Sequence, residues 1–172
     1  MFVQKAAACH AEDFTHDLDH IPYYRIEREV LRILRTQLSD AIFSIEFTCF
    51  APGITFVSPC YILCILPFLY ASRSRNSYVR NSVPSTLSLQ KVIGWLSNDY
   101  ATTLSVTNIS SEQAAILCEQ EKCMVYNSNL RNQLIGDESL VGWRRKRFML
   151  LWEAGLLSAG LIFRWRIILK AN

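Results

Sequence analysis

Residues 48–71, TCFAPGITFVSPCYILCILPFLYA, carry no charged side chain over 24 positions. A bilayer's hydrocarbon core is about 30 Å thick and a helix rises about 1.5 Å per residue, so a run of this length reads first as a transmembrane helix. Pro52, Pro59 and Pro67 interrupt it. In water an interior proline costs a helix about 3 kcal/mol, whereas neighbouring segments of a membrane bundle can satisfy the carbonyls it frees. The competing reading is a set of short buried strands broken at Pro52-Gly53, Pro59 and Pro67. Upstream, AIFSIEF is also apolar but contains Glu46, which starts the span after that glutamate or holds it at the interface.

Composition points the same way. Of 172 residues, 19% are charged and 51% apolar, and the mean hydropathy is +0.14, a shift from ordinary water-exposed chains toward membrane proteins. The length suits one domain. A net charge of +3, spread over several places, makes no stripe for neutralising many phosphates, so nucleic acid is not an expected partner. Acidic residues arrive by Glu12, unlike a cleavable secretory signal or a mitochondrial presequence, so any targeting is internal. Of the six cysteines, Cys49, Cys60 and Cys64 fall in the apolar run and read as small hydrophobes rather than a disulfide framework.

Around the run, the chain divides by pattern. Residues 1–22 form an acidic, histidine-bearing tail. Residues 23–40 form an amphipathic helix, with Ile26, Val30, Ile33, Leu34 and Leu38 at steps of three and four and arginines on the other side. Residues 72–147 are a polar central segment. It begins with a serine- and arginine-rich connector in which Arg73, Arg75 and Arg80 would anchor the span. It contains a weak strand in YATTLSVT, a helix near 111–126 with a Ser110/Gln113 capping box, and a polar loop in NSNLRNQLIGDES. Residues 148–169 form a second apolar block. It makes a marginal span because Glu153 sits within it and Arg164 and Arg166 must snorkel to the interface.

All three histidines lie in the stretch CHAEDFTHDLDH. On a helix, His16 and His20 would share a face with Asp13 beside His16 and Asp17 beside His20, a spacing that can hold a divalent metal. The competing reading is a solvated acidic tail. No histidine follows His20, which excludes the multi-histidine boxes of membrane di-iron oxygenases. No Cys-His or Ser-His arrangement suggests a nucleophile. Arg144, Arg145, Lys146 and Arg147, just before an apolar block, read as a lipid-anchoring cluster. Glu153, Gly155 and Ala159 mark a helix-packing strip where a partner helix could approach closely. Asn108-Ile109-Ser110 is one glycosylation sequon.

The expected fold is therefore mainly α: a small helical membrane protein with one transmembrane segment, a second marginal one and a polar central segment. The expected role is a non-catalytic accessory or assembly subunit of a larger membrane complex, integral to the membrane, with lipid and other membrane helices as partners and no cofactor. The alternative is a soluble helical domain with a metal-binding or regulatory N-terminal tail. A third reading is an open reading frame without selected function.

Overall fold

The structure, a computed structural model, describes residues 15–19, 21–55, 57–72, 87–97 and 100–172. The first fourteen residues with Asp13, His20, the connector 73–86 and Asn98-Asp99 lie outside the described residues. Among the described residues, nine elements follow in order: β1 (Thr15–Asp17), α1 (Tyr23–Thr36), β2 (Ile42–Phe50), α2 (Pro59–Ser72), α3 (Leu89–Leu96), β3 (Ala101–Asn108), α4 (Ser110–Tyr126), α5 (Ser128–Ser158) and β4 (Ile162–Ala171). The chain forms two compact units. One comprises Met1–Phe50, Ser85–Asn108 and Arg164–Asn172, the other Ala51–Pro84 and Ile109–Phe163.

The first unit is built on a four-stranded sheet in the order β1-β2-β4-β3. β1 lies parallel to β2, with Asp17 opposite Glu46, and β3 lies antiparallel to β4, with Ala101 opposite Ala171. Backbone bonds join Ala51 to Leu161 at one end of β2 and Ala41 to Ala171 at the other, so β2 and β4 are also antiparallel. The sheet is mixed, with β4 running against the other three strands. In β2 the sequence FSIEFTCF alternates at the strand period of two. Phe43, Ile45, Phe47 and Cys49 point to one side and Ser44, Glu46 and Thr48 to the other, and all seven are buried. A strand buried on both faces reads as nearly continuous burial, as expected at the centre of a sheet. Ile26, Val30, Ile33 and Leu34 of α1 and Val92 and Leu96 of α3 are buried, and the two helices pack together. The Ser88 hydroxyl caps α3 by accepting from the Lys91 N–H at 3.2 Å.

The second unit is helical. Ala114, Leu117 and Met124 make a buried stripe on α4, which packs along α5. Glu121, buried in the same stripe, accepts from Arg147 Nε at 2.6 Å, and Trp143 Nε1 donates to the Met124 carbonyl at 3.3 Å. α2 packs on α5, where Trp152 Nε1 donates to the Cys64 carbonyl at 3.3 Å.

The fold is thus α/β rather than mainly α, and the expected spans are corrected. Among the described residues, no helix is long and apolar enough to cross a membrane. The run 48–71 is not one helix: β2 ends at Phe50, the chain turns through Pro52 and Gly53 (φ +94), and α2 occupies 14 residues. At 1.5 Å per residue α2 is roughly 21 Å long, short of a bilayer core. The block 148–169 is divided as well. α5 ends at Ser158 in a Schellman cap: Leu161 N–H bonds to the Leu156 carbonyl, Gly160 N–H to the Leu157 carbonyl, and Gly160 adopts φ +67. After that left-handed residue the chain continues as β4, so Arg164 and Arg166 are strand residues and do not snorkel. The polar stretch NSNLRNQLIGDES, expected as a loop, is the start of α5. The break falls later, at Ser139 (φ +71), whose hydroxyl accepts from the Gly142 N–H at 3.4 Å. The helix begins at Ser110 with Ile109 at its N-cap, so Ser110 stands inside the first turn rather than at the cap position expected for it.

Candidate functional site

In open α/β sheets, ligands bind outside the carboxyl ends of parallel strands. In the first unit that position is marked by charge. β1 ends at Asp17, and the chain passes through Leu18, buried at 1% exposure, to Asp19. The Leu18 N–H donates to the Glu46 carbonyl at 2.9 Å, which continues the β1 pairing and holds Asp17 and Asp19 on the polar side of β2. The antiparallel register of β2 and β4 then brings Thr48 beside Arg164 and Glu46 beside Arg166.

The resulting cluster surrounds one guanidinium. Arg164 Nη1 donates to Asp19 Oδ2 at 2.6 Å, and Arg164 Nη2 lies 2.9 Å from Glu46 Oε2 and 3.4 Å from Asp17 Oδ2. Arg166 Nε donates to the other Glu46 oxygen at 2.7 Å. Asp19 also accepts from the Thr48 hydroxyl at 2.6 Å and from the Thr48 N–H. Three carboxylates face two guanidiniums, and Arg164 and Glu46 are each 8% exposed. Burial pushes the Asp19 carboxyl above its ordinary value; Arg164 and the Thr48 hydroxyl pull it back, and Asp17 adds to the rise. The cluster is a closed charge network: every carboxylate in it has a cationic partner within 3.4 Å.

The sequence singled out none of this cluster as a site except Asp17, which it placed beside His20 as a ligand. The available signal was the alternation of Ser44, Glu46 and Thr48, which marks one face of a strand rather than the border of a span. His16, a metal candidate, sits on the other side of β1. Its ring meets Phe43 edge-on at 6.2 Å, and its Nε2 is 3.3 Å from Gln37 Nε2. Burial and then Arg32 lower its pKa, against a smaller opposing effect of Glu29. Among the described residues, no group of three potential ligands is placed to hold a metal ion.

The remaining candidates lie in the second unit. Lys146 pairs with Glu138 at 2.6 Å, Arg147 with Glu121 at 2.5 Å, and the Arg147 guanidinium stacks 4.7 Å from the Trp143 ring centre. Arg144 is exposed and Arg145 half-buried. Gly155 and Ala159 are exposed and Glu153 is half-buried. The five described cysteines are free thiols. Burial pushes the Cys49 thiol up to about 11, against a hydrogen bond from Trp165.

No protein-family model matches the chain, and no curated protein matches it in sequence. Solved structures do match it in fold. A mycolic acid cyclopropane synthase complexed with SAH and CTAB has a TM-score of 0.66 at 14% identity, covering 91% of this chain and 55% of that one. A cyclopropane synthase from Mycobacterium tuberculosis has a TM-score of 0.66 at 12% identity, with the same shares of 91% and 55%. A phosphoethanolamine N-methyltransferase from Haemonchus contortus, in complex with phosphomonomethylethanolamine and S-adenosylhomocysteine, has a TM-score of 0.62 at 12% identity, covering 92% of this chain and 32% of that one. At such identities the likeness is one of fold, and the chain spans about half the length of the cyclopropane synthases it matches.

These findings correct the expected role. A non-catalytic accessory subunit integral to the membrane, with lipid and membrane helices as partners, rested on two spans that the fold replaces with strands and shorter helices. The architecture that stands in their place is similar in fold to part of a solved cyclopropane synthase and of a solved N-methyltransferase.

Proposed function

We propose that this chain forms part of an S-adenosylmethionine-dependent methyltransferase. The observation that carries the reading is the mixed sheet β1-β2-β4-β3, in a chain that matches a solved N-methyltransferase in fold over 92% of its length. Two of the matched proteins are in complex with S-adenosylhomocysteine, the compound left when S-adenosylmethionine has given up its methyl group.

The residues present do not fit the whole of that cofactor. Sheets that hold a nucleotide at their carboxyl ends use closely spaced glycines, so that the backbone can approach the ligand, and an acidic side chain for the ribose. No two of the six glycines here stand two residues apart. A Cβ added at Gly53, Gly94, Gly136 or Gly155 would meet no atom within 4 Å, so none of these lines a tight cradle. The carboxylates at the carboxyl end of β1 are bound by Arg164. What the chain supplies is the mixed four-stranded sheet, without a glycine turn for the donor.

The test is extraction of small molecules from the chain isolated with its associated components from its own cells, followed by incubation of the same preparation with methyl-labelled S-adenosylmethionine. Release of S-adenosylhomocysteine or its methylated form, with label passing to an acceptor, is expected. A preparation that holds no adenosyl compound and transfers no label overturns the reading.

A further inference from the structure

We infer that the methyl donor is held by residues other than these 172, because the carboxylates at the carboxyl end of β1 are already engaged by this chain's own guanidinium. The inference rests on the methyltransferase reading and specifies how the donor binds.

Two independent observations support it. The first is backbone chemistry. A nucleoside pressed against the end of a strand needs a turn without side chains, and glycines two residues apart are absent from this sequence. Gly53, the glycine nearest to a strand's carboxyl end, follows Phe50 of β2 by three residues and stands alone.

The second is charge. S-adenosylmethionine is a sulfonium cation and its ribose hydroxyls seek a carboxylate. The carboxylates at the carboxyl end of β1 are Asp17 and Asp19, and both are engaged by Arg164, at 3.4 and 2.6 Å. The two Thr48 donors take further lone pairs of Asp19, whose side chain is buried. Glu46, the next acid inward, is shared between Arg164 and Arg166. A sulfonium brought to this place would have to displace the Arg164 guanidinium from the same carboxylates, and a ribose would find Asp19 already engaged by Arg164 and Thr48. The cluster ties β1 to β2 and β4 and leaves donor binding to another segment.

The experiment is equilibrium dialysis of labelled S-adenosylmethionine and S-adenosylhomocysteine against two samples: the full chain made alone and shown to unfold cooperatively, and the chain isolated with its companions. The chain alone is expected to retain neither compound with a dissociation constant tighter than about 1 mM. The companion-bound sample is expected to retain them about a thousandfold more tightly. Micromolar binding by the chain alone overturns the inference and leaves the methyltransferase reading standing. Binding by neither sample overturns both, so the two failures are told apart by the same measurement.

Discussion

The guanidinium of Arg164 lies 2.6 Å from the Asp19 carboxylate, although 145 residues separate them in the chain. It is the point at which β4 is joined to the end of β1 across β2. Removing one partner of a buried charge network leaves the others uncompensated, which costs about 3 to 5 kcal/mol. Arg164→Met is therefore expected to lower the unfolding free energy by that amount in urea, with Arg164→Lys recovering part of it. A loss below about 1 kcal/mol, the range of exposed pairs, would show that the carboxylates are solvated.

Thr48 gives both its N–H and its hydroxyl to Asp19. A hydrogen bond to a charged group contributes about 1.5 to 3 kcal/mol. Thr48→Val keeps the shape and removes the hydroxyl, so a loss in that range is expected, while Thr48→Ser is expected to stay close to the native stability. A loss in Thr48→Ser with none in Thr48→Val would assign the effect to packing of the methyl group.

Gly160, at φ +67, ends α5 and lets β4 begin. A side chain in the left-handed region costs about 1 to 2 kcal/mol. Gly160→Ala is expected to lower the urea midpoint accordingly with the far-ultraviolet dichroism unchanged. A neutral result would mean that the turn relaxes to negative φ.

The imidazole of His16 has a pKa below its ordinary 6.5 in the folded chain. The unfolded chain then binds the proton more readily, so the contribution of His16 is fully present above pH 6.5 and is lost as pH falls from there through the folded value. The fall in unfolding midpoint between pH 7.5 and pH 5.5 is expected to be smaller in His16→Gln than in the native chain. Identical slopes would place the acid sensitivity elsewhere.

Cys60 is exposed, whereas Cys49 is buried with its thiol pushed up to about 11. The thiolate is the reactive form. At pH 8, iodoacetamide followed by mass spectrometry is expected to label Cys60 in the folded chain and Cys49 only after denaturation. Labelling of Cys49 at a similar rate would mean that β2 opens readily.

Much of the local structure was legible. The spacing of Ile26, Val30, Ile33 and Leu34 marks one face of a helix, and these residues are buried on α1. YATTLSVT carries a strand pattern and contains most of β3. The errors came where two periods overlapped. FSIEFTCF alternates as a strand but adjoins the apolar residues of α2, and the sum of the two passed for a single span. Likewise LLWEAGLLSAGLIFRW joins the end of a helix to the start of a strand, with Gly160 as the mark of the change. The charge cluster was less legible still. Glu46 read as a border and Arg164 as a snorkelling end, because each takes its meaning from residues on other strands that become neighbours only when the sheet forms.

The sequence by itself determined which positions leave water and where the backbone must turn: the alternation in β2, the stripe on α1, the breaks at Pro52-Gly53 and Gly160. Only the tertiary structure decided what replaces the water. Hydropathy measures the gain on removing an apolar group from water, and that gain is much the same whether lipid or a packed core receives it. The choice between them rests on whether polar groups such as Glu46 and Arg164 find one another, and that pairing is a property of the assembled sheet.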